Sequence, residues 1–457
     1  MTIMPEEQGI DNTIQKRFNG FMKRFGINSM LRGVGAAKEK GVPVNQLFTF
    51  LLGLVFTQKN LYETMTAKRE KPLFSKNTVY RFLVASAVNW EVFVRRLSTA
   101  VIPEIDKLTS GARKTALIID DTPYWRNRSK KVELLSLCRD HSEKKYYKGF
   151  TMLNIGWSDG QSFVPVDFRL LASGKDENLL EGSHVKEDKR TLATRRRTQA
   201  RMEKPELALQ MLRDIKGTSA QTQYVLFDSW FSAPCFILSV KGLGYDSVAR
   251  LKNHENYRYL YNGEKLSVSK IYNANRKRRG KSRYLLSVSV EVRSEDFKTT
   301  VPAKIVFVRD RSNRKKWIAL LSTDVTLNED EIIALYGKRW DIEPFHKVLK
   351  STLRLTKEFQ LRSYDAIVAH TAIVLTRYIF LSLENRENKD DRSISELFLL
   401  ICDELDDISF QYAFMALLSL FEQCLSDYSN IPDDQIDRLV EHFIASLPAF
   451  IKNRLAS

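Results

Sequence analysis

Along the first 110 residues apolar positions recur at helical intervals. Phe18, Phe21 and Phe25 fall three and four apart, and an apolar run from Leu47 continues toward a turn expected around Lys71 and Pro72. Ser75 then precedes a stretch expected to be a helix, with Val79, Phe82, Leu83 and Ala87 inward and Lys76, Asn77 and Arg81 exposed. At residue 115 the pattern changes. TALIIDDT is a short continuous apolar run closing on acids, as in a buried strand with its acids at the strand end. FTMLNIGWSD and SFVPVDFRLL follow as strands, with Asp159-Gly160 as the hairpin turn between them. A dense basic segment, VKEDKRTLATRRRTQARMEK, leads into the helix PELALQMLRDI. QYVLFDSWF then repeats the earlier strand pattern and ends at Asp228, and YDSVARL follows after a helix. Residues 253–325 alternate aromatic and β-branched residues (YRYLY, RYLLSVSVEV, AKIVFV, WIALLS), and the chain from Leu353 onward reads as helix.

This order predicts an α/β protein in five parts: a helical region 1–110, the first part of a core 111–252, a β-rich insertion 253–325, the last part of the core 326–383, and an acidic helical region 384–457. At 457 residues the chain is too long for one ordinary core. The formal charge of +17 points to a polyanionic partner, a trait shared by ribosomal, membrane-surface and RNA-binding proteins. From Glu384 onward the chain carries 15 acids and 6 bases, so the remainder holds about +26 by the same count. Cys138, Cys235, Cys402 and Cys424 form no CxxC pair and read as buried free thiols rather than a zinc site. The first residues lack the pattern of a signal peptide. The apolar stretches Leu47–Phe56 and Thr371–Leu383 read as too short for a membrane span or as interrupted by Arg377, so a cytoplasmic protein without a membrane partner is expected.

The most informative segment is YGKRWDIEPFHKVLK. Tyr336, Arg339, Glu343 and Lys350 stand three, four and seven residues apart. On a helix at ~100° per residue they share roughly a 60° arc, while Leu335, Ile342, Phe345, Leu349 and Leu353 gather in another. Any solvated amphipathic helix shows two such stripes. Pro344 removes a backbone donor and is expected to kink or restart the helix near Trp340 and Glu343.

The string Y-x-x-R-W-x-I-E-x-F-H-K followed by a basic residue resembles the Y-R-E-K motif of bacterial insertion-sequence DDE transposases of the insertion-sequence-four type. The resemblance runs from about Lys114 to Leu355. It implies an RNase H-like catalytic core carrying a β-rich insertion and flanked by helical N-terminal and C-terminal domains. It further implies three metal-binding acids, with Glu343 the last and Asp228 the second. The first is Asp120 or Asp121. Asp120 is preferred because the family's first acid usually begins an Asp-x-Ser/Thr pattern, and Asp121 would then face the other side of the strand.

Cutting a phosphodiester needs an activated nucleophile and a neutralised leaving oxygen. Two Mg2+ ions ~3.5–4 Å apart supply both, with Mn2+ as a substitute, and hard carboxylate oxygens suffice to hold them. Arg339 lies ~6 Å and Tyr336 and Lys350 each ~10 Å along a helix from Glu343. The resemblance makes these three clamps on the phosphates beside the scissile bond. It also implies double-stranded DNA as partner (element ends and target), a homodimer on DNA with the C-terminal region as a dimerisation element, nucleoid association when bound, and an N-terminal domain that reads the element end, with helix-turn-helix and plain bundle both open for it. Basic loops RKRRGKSR and SNRKKW would project from the insertion. Trp317 is read either as a stacking platform for a flipped base or as a strand-core tryptophan. Two other functions fit the same residues: an RNase H-like endonuclease without strand transfer, and a catalytically silent DNA-binding repressor.

Overall fold

The computed structural model describes residues 13–452 apart from 39, 67–73, 110, 112, 141–142, 186–187, 279–281, 295–298, 311–312, 314, 389–391, 429–432 and 450. The turn expected at Lys71-Pro72 and parts of the basic segments at 185–204, 276–283 and 312–317 lie outside the described residues.

The apolar run at 116–119 becomes β1 (Ala116–Trp125), and β2 (Ser136–Asp140), β3 (Lys145–Ser158) and β4 (Phe163–Leu171) follow as an antiparallel array. Gly160 closes the β3–β4 turn at φ +89, a backbone state that favours glycine. Two helices, Leu192–Ala200 and Lys204–Ile215, then return the chain to β5 (Tyr224–Phe227), which lies parallel to β1. After the helix Pro234–Gly242, β6 (Asp246–Arg250) lies parallel to β5. The spatial order β4-β3-β1-β5-β6, with β5 and β6 parallel to β1 and helices in the crossovers, is that of an RNase H-like core.

The β-rich segment does not form a separate sheet. It supplies β7 (Arg258–Tyr261), β8 (Glu264–Ser267), β9 (Leu286–Val292), β10 (Val301–Arg309) and β11 (Trp317–Ser322). Strand β11 pairs antiparallel with β6, so the eleven strands among the described residues form one sheet. Trp317 is stacked on Tyr272 with ring centroids 4.7 Å apart and meets Phe307 edge-on.

Three expectations change. Strand β1 does not end at its acids: β3 is long enough to pair with it as far as Trp125, whereas parallel pairing with the shorter β5 stops at Ile119 and Phe227. Ala87 is exposed, because the helix after Ser75 ends at Leu83 before another inward turn is reached. Of the cysteines, Cys402 is buried, Cys138 half-buried and Cys235 exposed.

The helix Tyr364–Glu387 is, among the described residues, long and apolar enough to cross a membrane, yet its apolar window is wholly buried inside the protein. The N-terminal helices wrap it: Phe18 and Phe21 meet Phe380, and the helix Trp90–Asp106 packs against both it and β4. Arg377 is held there by Glu358 on two oxygens and by the carbonyls of Leu51 and Leu52, which close the end of the helix Val44–Leu54.

Burial works to raise the Glu358 carboxyl, but the Arg377 charge and hydrogen bonds from His370 and Arg377 hold it down at about 2. Stability from this pair is therefore complete above the ordinary value of 4.5 and lost as pH falls from there toward 2. Glu358→Ala, which strands the buried guanidinium, is expected to cost about 3–5 kcal/mol in urea unfolding at neutral pH. The difference from wild type should shrink in that acidic window.

Candidate active site

Parallel strands in register present matching residues on one face. The last β1–β5 pair is Ile119 with Phe227, so Asp120 and Asp228 occupy the next position side by side where the two strands part. Burial raises the Asp120 carboxyl to about 7, helped by the charges of Asp121 and Asp228 and opposed by Arg339. Asp228 is also raised, chiefly by burial, against the N–H of Trp230, which donates to its Oδ1 at 2.9 Å.

The neighbouring acid, Asp121, points to the opposite face and accepts from Lys204 Nζ at 3.1 Å. The same ammonium sits 3.9 Å from the ring centre of Trp230, so Lys204 ties the ends of both strands together.

Helical geometry breaks where Pro344 implied. A helix Glu329–Gly337 gives way to a 3-10 turn, Lys338–Asp341, and a new helix runs Ile342–Ser351. Pro344 sits in the first turn of that helix, where a missing N–H costs little. The β3–β4 hairpin anchors the turn: Lys338 Nζ donates to the carbonyl of Asp159 at 2.9 Å, and Ser158 Oγ donates to Asp341 Oδ2 at 2.5 Å. Tyr336, Arg339 and Glu343 therefore belong to three consecutive elements rather than one straight helix.

From the turn, Arg339 reaches both other elements. Its guanidinium donates to Glu343 Oε1 at 2.9 Å and stands 3.5 Å from Asp120 Oδ2. Arg339 is buried and Glu343 exposed. Tyr336 is buried, its hydroxyl pushed up to about 12 mainly by burial, with the Arg339 charge opposing and Asp228 adding. Lys350 sits farther along β1, donating to Thr122 Oγ1 at 2.5 Å and lying 4.7 Å from the ring centre of the exposed Trp125. Its pKa is lowered by burial.

Arg339 thus gathers Asp120 and Glu343, Asp228 lies beside Asp120, and Lys350 stands apart beside Thr122. Reading the motif as a stripe missed Asn154 and His346. Asn154 lies directly across from Asp120 on β3 and meets His346 Nε2 at 3.1 Å. His346 was visible in the motif, three residues after Glu343, but its partner depends on a strand register that spacing does not reveal.

Over residues 49–315 the chain matches the family model described as DDE superfamily endonuclease. The chain belongs to that family. No curated protein matches it. The matched span takes in Asp120 and Asp228 and ends before Glu343. DDE endonucleases act on DNA and generally use divalent metals.

The residues present suit such an ion in kind. Three carboxylates offer hard oxygens, and burial of the two aspartates makes their negative charge costly, a cost that a cation relieves. Among the described residues no three His, Cys, Asp or Glu side chains are grouped to hold a metal. The guanidinium of Arg339, between Asp120 and Glu343, supplies positive charge in that place instead.

The raised Asp120 pKa has a stability consequence in this DDE endonuclease. The folded state keeps the proton up to about 7 whereas the ordinary value is 3.8, so stability falls as pH rises through that interval. Asp120→Asn is expected to raise the melting temperature above pH 7 by several degrees, with roughly 2–4 °C corresponding to 1 kcal/mol in a domain of 150–250 residues. The gain should vanish near pH 4 in a pH series of thermal melts.

Proposed function

We propose that this DDE endonuclease is a cut-and-paste DNA transposase of the insertion-sequence-four type with a Y-R-E-K motif. It cleaves at the ends of its element and transfers the 3′-hydroxyl to target DNA. The observation that carries this reading is Arg339 joining Asp120 to Glu343 where the parallel strands β1 and β5 part, with Asp228 at the position beside Asp120.

Asp120, Asp228 and Glu343 would hold the Mg2+ or Mn2+ ions. When bound, these ions would activate a water or 3′-hydroxyl and neutralise the departing oxygen. Arg339, leaving Glu343, turns its planar fork onto a DNA phosphate and frees the carboxylate. Lys350 leaves Thr122 to meet a second phosphate, and the Tyr336 hydroxyl, kept protonated by burial, serves as a donor to the backbone. The helical region 1–110 reads the element end, the segment 253–325 is an insertion in the core, and the acidic helices after Glu384 pair two copies so that both ends are held. The charge of about +26 that the tail leaves to the remainder fits a long DNA contact.

With Mg2+, a labelled element end and a supercoiled plasmid, the protein is expected to yield joined products. Cleavage without joining would favour an endonuclease, and neither product would favour a repressor. Glu343→Gln should reduce both products by at least roughly 100-fold, the upper range for residues that merely support a metal ligand. Arg339→Ala should bind Mn2+ more tightly than wild type without DNA, read by electron paramagnetic resonance of free Mn2+, while binding DNA more weakly. A fall in its Mn2+ affinity would count against displacement of the guanidinium by the ion.

A further inference from the structure

The face of the sheet beneath the Glu343 helix holds a polar contact that the proposed chemistry does not use. Asn154, wholly buried in β3, is the cross-strand partner of Asp120, so the two side chains stand on one face within direct reach of each other. Its amide orientation is fixed by chemistry. Nδ2 faces the carbonyl of Met152 at 3.3 Å, an acceptor only, and so the same nitrogen meets His346 Nε2 at 3.1 Å. The ring therefore accepts at Nε2. Burial and the charges of Lys350 and Arg339 keep it neutral, which suits that role. Asn154 Oδ1 is left buried with no hydrogen-bond partner among the described residues, across the strand pair from the Asp120 carboxylate.

His346 is one turn beyond Glu343 and one turn before Lys350, on the same helix. The bond from Asn154 to His346 is thus a direct polar link between the strand pair that carries Asp120 and the helix that carries Glu343. Lys350 also ties this helix to Thr122 of β1, and the buried hydrogen bond adds a second fixed point that sets distance and rotation, which dispersion contacts, with little directional preference, do not.

We propose that Asn154 and His346 are positioning residues that set the separation of Asp120 and Glu343 for metal binding, with Asn154 Oδ1 an additional oxygen donor toward an ion at Asp120, directly or through water. This rests on the reading of those acids as metal ligands.

The test is Mn2+ titration of the full-length protein without DNA, followed by electron paramagnetic resonance and paired with thermal melts. His346→Phe and Asn154→Leu are expected to weaken Mn2+ binding by roughly 10–100-fold, as loss of a residue supporting a ligand does. His346→Gln, whose side-chain oxygen can accept from Asn154, should stay within about threefold of wild type by retaining that bond. Wild-type affinity in folded His346→Phe and Asn154→Leu would overturn the proposal. So would His346→Gln binding as weakly as His346→Phe, which would remove the hydrogen bond as the cause. Collapse of the fold in both variants would also overturn it, by assigning the pair to core stability alone. Absence of Mn2+ binding in the wild-type protein would instead overturn the underlying metal reading, and the wild-type titration separates the two failures.

Discussion

Two half-buried carboxylates that repel each other lie side by side where a parallel strand pair opens, and much of the surrounding structure answers that repulsion. Neither strand could carry such a charge in a dry sheet without compensation. Arg339 supplies it on the face of Asp120. Lys204 supplies it on the face of Asp121, reaching across to Trp230 next to Asp228. The elements that bring in these cations are held in turn by ordinary contacts: Lys338 and Asp341 fasten the 3-10 turn to the β3–β4 hairpin, and Phe345 of the following helix packs on Phe163 and Tyr378. The charge repulsion at the strand ends and the rigidity behind it belong to one arrangement, since preorganised charge needs a scaffold that does not relax around it.

The electrostatics also connect the resting arrangement to function. A guanidinium between Asp120 and Glu343 gives the carboxylates a partner before any other cation arrives. The interaction is internal to the protein and needs no solvent ion. Its geometry is also that of an arginine able to exchange a carboxylate for a phosphate, each of which offers two oxygens to the guanidinium fork. Metal and DNA would then bind in a coupled way, each easing the other, through one side chain with two alternative partners.

Much of this was legible in the sequence, for identifiable reasons. The run LIID and the run VLFD read as buried strands because each is short, continuously apolar and closes on an acid, as strands at a sheet centre do, and the hairpin at Asp159-Gly160 follows from a residue able to take φ +89. The break before Glu343 follows from Pro344. Pairing across the sheet was not legible. Asn154 is an unremarkable polar residue in FTMLNIGWSD until β3 is laid against β1, and the length of β1 beyond Asp120 depends on the length of β3 rather than on β1 itself. Ala87 was misplaced because helical periodicity was carried past the real end of its helix. The insertion read correctly as β-rich, but pairing of β11 with β6 is a long-range choice that local alternation leaves open.

The burial of Tyr364–Glu387 under the N-terminal helices bears on how this protein can be altered. Arg377 holds the carbonyl end of the helix Val44–Leu54, and Phe380 completes an aromatic cluster with Phe18 and Phe21. The first hundred residues are therefore not a detachable cassette. Removing them, or replacing them with helices that do not fit this surface, would leave a long apolar rod unsheathed, and such variants should aggregate unless the rod is replaced as well.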